Sequence, residues 1–134
     1  MTIRELTAFD LEEILPLYSA VGWTSYTDRP EMLKTAWENS LLILGAYDGG
    51  RLIGAVRAVG DGASIVYVQD ILVLPEYQRR GIGTRLLRTL MERYPSVHQL
   101  ALMTDDTPET VSFYRSVGLV KVDDTGGCAF IKYG

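Results

Sequence analysis

The chain has 134 residues, of which 47% are hydrophobic and 22% charged, and its formal net charge is −4. This length and composition predict one globular domain over residues 1–134 and exclude intrinsic disorder and collagen-like repeats. The acidic balance disfavours nucleic acid and anionic membranes as partners, and no apolar run approaches the roughly 20 residues that cross a bilayer.

The first third of the chain predicts one strand and two helices. The strand spans Thr2 to Leu6, and Asp10 stands at the capping position of the first helix. Pro16 is expected to kink or shorten that helix, because proline lacks the backbone N–H group. A loop from Gly22 to Pro30 follows, and the second helix begins at Pro30.

The middle of the chain predicts three strands separated by glycine-containing turns. They run from Leu41 to Tyr47, from Arg51 to Val59 and from Ile65 to Leu74. All residues of the third strand except Gln69 and Asp70 are apolar. A strand this apolar is expected to be covered on both faces and therefore to lie inside the sheet.

The last third predicts an amphipathic helix, a strand, a second helix and two final strands. Their ranges are Gly81 to Tyr94, Val97 to Thr104, Pro108 to Gly118, Leu119 to Val122, and Ala129 to Tyr133. The predicted order is β-α-α-β-β-β-α-β-α-β-β, which indicates an α/β (α+β) fold with a mixed sheet and helices on both sides. The single cysteine, Cys128, excludes an internal disulfide, fits a reducing cytoplasm and is expected to be buried.

The turn between the third strand of the middle region and the amphipathic helix carries the clearest chemical signal. Gly81 and Gly83 have no side chains to cover the first helical turn, so the backbone N–H groups there are free to bind an anion. Arg79 and Arg80 add positive charge. A Walker A loop is excluded because no Gly-Lys-Ser/Thr follows, and a dinucleotide fingerprint is excluded because Leu86 replaces its third glycine.

Two motifs together resemble the GCN5-related N-acetyltransferase (GNAT) family. Gln78, Gly81 and Gly83 match the Gln/Arg-x-x-Gly-x-Gly/Ala signature, and Phe113-Tyr114 with Gly118 is similar to the family's Phe-Tyr-x-x-x-Gly ending. The order of predicted elements also matches the GNAT acyl-CoA N-acyltransferase fold. The segment from Gln69 to Gln78 further resembles small bacterial and plastid members, some of which acetylate arylalkylamines.

The resemblance implies acetyl-CoA as co-substrate and a primary amine of a small molecule as acceptor, attacking directly in a ternary complex. It implies Tyr114 as the general acid and pairing of the pantetheine arm with the main chain of one strand segment, Ile71, Leu72 and Val73. The pyrophosphate would be held by one loop: Gln78, Arg79, Arg80, Gly81, Ile82, Gly83 and Thr84. Trp23 and Tyr26 correspond to the acceptor wall, although ordinary packing explains such aromatic residues equally well.

The general base is the point at which this sequence departs from the family. Relatives carry Glu or His at positions corresponding to Tyr67 or Gln69, and neither residue is a strong base. Asp70 is the neighbouring carboxylate, and strict alternation directs it to the opposite face unless a bulge re-aims it. A water chain and three other carboxylates remain alternatives: Asp105, Asp106 and Glu109.

Other functions stay open at this level. A non-catalytic acyl-CoA-binding module would keep the loop, and an acetyltransferase acting on protein amines would keep both motifs. No metal site is expected, because the single histidine, His98, lies without metal-ligand spacing. The resemblance also suggests a homodimer, and Thr107 is expected to cap the helix that begins at Pro108.

Overall fold

A five-stranded mixed sheet organises the first part of the chain. The computed structural model describes residues 1–134, which divide into two compact units, Met1–Met103 and Thr104–Gly134. The first unit contains β1 (Thr2–Glu5), α1 (Leu11–Ala20), α2 (Thr24–Thr27), α3 (Pro30–Glu38), β2 (Leu42–Asp48), β3 (Arg51–Gly60), β4 (Ile65–Val73), α4 (Ile82–Arg93) and β5 (Gln99–Leu102). The second contains α5 (Pro108–Ser116). One domain over residues 1–134 stays a prediction.

The strands follow one another across the sheet in chain order, β1-β2-β3-β4-β5. The first three pairings are antiparallel, and β4 pairs with β5 in parallel. Short turns join β2 to β3 and β3 to β4, whereas α1, α2 and α3 lie between β1 and β2 in the chain. The parallel pair requires a crossover, which α4 supplies. This arrangement confirms the predicted mixed sheet and the interior position of β4.

A β-bulge interrupts the pairing between β3 and β4. Arg57 stands opposite Asp70, but the next residue, Ala58, stands opposite Val68, so Gln69 is the extra residue on β4. A bulge of this kind changes the direction in which the following side chain points. Asp70 consequently shares a face of the sheet with Arg57.

Helices cover both faces of the sheet. At Gly54 on β3, an added Cβ would lie 3.4 Å from Cδ1 of Leu86, so this face meets α4. The guanidinium of Arg57, which projects from the opposite face, donates to the backbone carbonyl of Ala36 on α3. The core on the two faces is fully buried and includes large aliphatic residues from helices and strands: Ile14, Leu17, Leu33, Ile53, Val56, Leu86, Leu87 and Leu90.

Local sequence explains most of the helix boundaries in the first unit. The Asp10 side chain accepts a hydrogen bond from the backbone N–H of Glu12, as its capping position predicts. α1 continues through Pro16 to Ala20, so the expected shortening is wrong. The predicted loop from Gly22 to Pro30 contains the single helical turn α2. No helix of the protein is long and apolar enough to cross a membrane.

The second unit differs most from the sequence prediction. Thr107 caps α5 by accepting from the backbone N–H of Thr110, as expected. The predicted strands Leu119–Val122 and Ala129–Tyr133 do not form, and Val122–Thr125 is a 3-10 turn. An isolated two-stranded hairpin has little stability of its own, so alternating apolar residues do not suffice. Phe130 is 91% exposed, and Cys128, expected to be buried, is also exposed.

Candidate active site

The segment between β4 and α4 folds into a loop whose backbone turns sharply twice. A 3-10 turn over Pro75–Tyr77 leads out of β4, and the Gln78 side chain then donates to the Val73 carbonyl across 3.0 Å. Arg79 and Gly81 both have left-handed backbone conformations, with φ of 65° and 78°. Glycine adopts this conformation without strain, which explains why it stands at the N-cap of α4.

The consequence is a run of free hydrogen-bond donors. The first backbone hydrogen bond of α4 runs from the N–H of Arg85 to the carbonyl of Gly81, and the N–H groups of residues 79–84 have no acceptor within the protein. Gly81 is exposed, so these donors are open to a ligand. Six such donors at a helix N-terminus suit an anion with several oxygens, such as a pyrophosphate.

The charged side chains of this loop reinforce the same preference. Arg79 and Arg80 are exposed and take part in none of the ion pairs of the structure, whereas nearby Arg51 is paired with Glu76 at 3.0 Å. The guanidinium of Arg80 lies 5.2 Å from the centroid of the Tyr77 ring. Ile82 is only 6% exposed, so its side chain belongs to the core and only its N–H group faces the loop.

The last residues of β4 present an unpaired edge beside this loop. β4 pairs with β5 only from Ile65 to Val68, because β5 ends at Leu102. Ile71, Leu72 and Val73 pair with β3 on their other side. The free edge can therefore accept an extended ligand chain as an added strand. The residues predicted to hold the pantetheine and those predicted to hold the pyrophosphate are thus continuous in the structure.

Asp70 lies at the start of this edge and is almost completely enclosed. Its side chain is 2% exposed and pairs with Arg57, whose Nε lies 2.7 Å from Oδ2. The hydroxyls of Tyr18 and Tyr26 donate to it across 2.7 and 2.9 Å. Three donors therefore occupy the two oxygens of this carboxylate. Its assignment as the base stays a prediction.

The partners of Asp70 were not identified from sequence. Arg57 is flanked by apolar residues within β3, and a cation in the apolar interior of a strand signals a buried carboxylate partner. Burial lowers the pKa of Arg57, but Asp70 outweighs this effect and the pKa is raised overall. Burial and the charge of Asp70 raise the pKa of both Tyr18 and Tyr26, so both hydroxyls keep their protons.

The predicted acceptor-wall residues belong to one aromatic cluster. The Tyr18 ring meets the rings of Trp23, Tyr26 and Trp37 at centroid distances of 5.9, 5.0 and 6.4 Å, all edge to face. Trp37 also donates from Nε1 to the Tyr18 hydroxyl across 3.1 Å. Trp23 and Tyr26 are half-buried, so part of each ring remains open. The structure thus joins these two residues to Asp70 in one network.

Tyr114 lies in the second unit, on α5. Its ring packs edge to face against Phe113 with centroids 4.9 Å apart. Burial raises the pKa of Tyr114, and the Thr104 hydroxyl lowers it by less. A raised pKa keeps the phenol protonated at neutral pH, which is the state that a proton donor requires. No group of three or more metal-ligating side chains occurs in the protein.

Comparison with known proteins agrees with this geometry. Residues 8–119 match the family model for the acetyltransferase (GNAT) family. An uncharacterized ycf52-like N-acetyltransferase of Prochlorococcus marinus is 32% identical over 96% of this chain and 71% of its own length. Serotonin N-acetyltransferase 2 of rice, a chloroplastic protein, is 29% identical over 96% of this chain and 66% of its own length.

A solved structure extends the agreement to the whole fold. A GNAT-family acetyltransferase from Streptococcus pneumoniae superposes with a TM-score of 0.91 at 41% identity, covering 99% of this chain and 97% of its own. The free donors at the start of α4 and the open edge of β4 fit the acetyl-CoA that this family uses. The chain belongs to the GNAT family of acetyltransferases.

Proposed function

We propose that this protein transfers the acetyl group of acetyl-CoA to the primary amine of a small molecule. The observation that carries the proposal is the run of free N–H groups in residues 79–84, directly continuous with the open edge of β4. The N–H groups would hold the pyrophosphate, and Ile71, Leu72 and Val73 would pair with the pantetheine arm. The thioester supplies an activated acyl group to an amine bound beside it.

The chemistry proposed for the chain is proton donation from Tyr114. The amine nitrogen attacks the acyl carbon in a ternary complex, the carbon–sulfur bond breaks, and the Tyr114 hydroxyl gives its proton to the leaving thiolate. The proton that the nitrogen loses passes through water and restores the Tyr114 hydroxyl. A positioned proton donor typically contributes 10²–10⁴-fold to the rate. Burial raises the pKa of Tyr114, so the residue enters the reaction protonated.

The acceptor is proposed to carry an aromatic ring. Trp23 and Tyr26 present part of their rings outside the core, and apolar aromatic surfaces of this kind suit an arylalkylamine. The rice relative, a serotonin N-acetyltransferase, supports the same class. A homodimer is proposed as the state in solution, and sedimentation of the purified protein tests it directly.

The first experiment is thermal unfolding with acetyl-CoA, using NADH and ATP as control ligands. A ligand at about 100 times its dissociation constant stabilises a protein by about 2.7 kcal/mol. A shift with acetyl-CoA alone supports the cofactor assignment, and the absence of a shift at millimolar acetyl-CoA contradicts it. Thiol release with a panel of arylalkylamines, polyamines and peptide amines then identifies the acceptor class.

Tyr114→Phe separates a transferase from a module that only binds acyl-CoA. The variant is expected to lose turnover by about 10²-fold or more while its thermal shift with acetyl-CoA stays that of the parent protein. Unchanged turnover would remove Tyr114 from the mechanism. Binding without thiol release on any amine would favour the module.

A further inference from the structure

A buried ion pair ties the short helix α2 to the central sheet. Arg57 and Asp70 are 4% and 2% exposed, and their Nε–Oδ2 distance is 2.7 Å. Arg57 also donates to the Tyr26 hydroxyl across 3.2 Å, and that hydroxyl donates to Oδ1 of Asp70 across 2.9 Å. The Tyr26 hydroxyl is therefore hydrogen-bonded to both members of the ion pair.

α2 depends on this contact more than an ordinary helix would. It spans four residues, Thr24–Thr27, without a buried residue and without a side-chain cap. One helical turn is unstable by itself, because it fixes several residues for very few hydrogen bonds. Within α2, only Tyr26 makes side-chain hydrogen bonds, and both of these bonds are to the buried pair.

The pair lies where the two parallel strands separate. Val68 opposite Leu102 is the last pairing of β4 with β5, Gln69 is the bulged residue, and Asp70 follows it. A pantetheine arm that runs from the loop at residues 79–84 along Val73, Leu72 and Ile71 ends beside Asp70. The acyl end of the coenzyme and the aromatic rings of α2 would then be neighbours.

Asp70 is poorly suited to exchange protons at that position. Its two oxygens accept from Arg57, Tyr18 and Tyr26, and the side chain is shielded from solvent. Taking a proton from an incoming amine would neutralise Asp70 and leave the charge of Arg57 unpaired in the core. Such an unpaired buried charge is strongly destabilising.

We propose that Asp70, paired with Arg57, is a positioning residue: it fixes the Tyr26 hydroxyl and so holds α2 as the wall against which the acceptor amine binds. This inference rests on the proposed function, since it assigns the acceptor to the α2 side of β4. Asp70 takes no proton in the reaction. Its contribution is to acceptor binding, and acetyl-CoA binding does not depend on it.

The test replaces the ion pair without leaving a charge behind. Replacing a buried ion pair by apolar residues of similar size is often neutral or stabilising, so Arg57→Met with Asp70→Leu is expected to stay folded. Tyr26→Phe removes only the hydroxyl and serves as the second variant. The matched control is Lys34→Met with Glu38→Leu, which removes an exposed ion pair of α3 with side chains 56% and 50% exposed.

Two readouts are needed, one of them independent of activity. Hydrogen exchange of the α2 amides is expected to quicken in the Arg57→Met/Asp70→Leu protein and in Tyr26→Phe. In Tyr26→Phe, which leaves the bonds of the pair to Tyr18 on α1 and Ala36 on α3 in place, α1 and α3 are expected to stay unchanged. The KM for the acceptor is expected to rise about fivefold, the equivalent of one neutral hydrogen bond, while the KM for acetyl-CoA stays within about twofold. The control variant changes neither readout.

The outcomes are distinct. Unchanged exchange of α2 in both variants overturns the inference, and so does faster exchange with an unchanged acceptor KM. A fall of kcat alone, with loss of the acidic limb of the pH–rate profile, would return Asp70 to the role of base and likewise overturn the inference. If the parent protein acetylates no amine, the proposed function fails and the inference fails with it, whatever the exchange of α2 shows.

Discussion

The glycine that begins α4 gives the sharpest test of the anion site. Gly81 has a φ of +78°, and a Cβ built on it would meet nothing within 4 Å. A side chain therefore fits sterically, and its cost comes from backbone strain, about 1–2 kcal/mol for a residue forced into the left-handed region. In a chain of 134 residues, each kcal/mol lowers the melting temperature by roughly 2–8 °C.

Gly81→Glu adds a negative charge to that strain. At about 8 Å from a phosphate, and with an effective dielectric constant of about 20, one charge pair costs about 2 kcal/mol. This repulsion weakens acetyl-CoA binding about 30-fold. At a ligand concentration of about 100 times the parent dissociation constant, the stabilisation falls from about 2.7 to about 0.9 kcal/mol.

Gly22→Glu is the matched control for strain and charge. Gly22 has a φ of +76° and equally open surroundings, but it lies just after α1, on the other side of the sheet from α4. Both variants should lose similar thermal stability without ligand, and only Gly81→Glu should lose the shift with acetyl-CoA. An undiminished shift in Gly81→Glu, or an equal loss in Gly22→Glu, would refute the assignment of the anion site.

Three further outcomes follow from close contacts and from shifted pKa values. Gly54→Val should destabilise the protein by about 1–3 kcal/mol in urea unfolding, since its Cβ would lie 3.1 Å from the Leu72 carbonyl of the neighbouring strand. Burial, followed by the charge of Asp70, raises the pKa of Tyr18 and Tyr26 above 10.0. The folded protein should therefore lose stability as the pH rises above that value, and the absorbance of the two phenolates should appear only on unfolding. Hydrogen bonds from the Ser64 hydroxyl and from neighbouring backbone N–H groups lower the pKa of Asp61 below 3.8. Asp61→Ala should therefore lower the melting temperature at neutral pH. The difference from the parent protein should shrink as the pH falls below 3.8. Gly54→Val with parent stability, early ionisation of both tyrosines, or a pH-independent effect at Asp61 would each contradict the corresponding argument.

Features set by short-range chemistry were predictable from the sequence. Glycine at position 81 is required by a left-handed turn at the N-cap of α4, and the amphipathic pattern that follows allows only one face of α4 to be buried. The free N–H groups follow from the geometry of any helix start. The alternation and turns of β2, β3 and β4 similarly reflect neighbours that are adjacent in sequence.

Features that depend on distant residues were not predictable. The ending Leu119–Val122 and Ala129–Tyr133 has strand-like composition, but a strand needs a hydrogen-bonding partner that composition does not specify. The orientation of Asp70 depends on a single bulge, since without Gln69 as the extra residue its side chain would project from the other face.

The sequence by itself determined the family, the order of the main elements and the glycine turn that begins α4, because each motif and each element depends on residues within a few positions of one another. Only the tertiary structure decided that Arg57 pairs with Asp70 and that Tyr26, 44 positions before Asp70, completes the group. Such a pairing is selected by the cost of leaving a charge buried alone, and that cost exists only after the sheet and the helices α1 to α3 have closed around it.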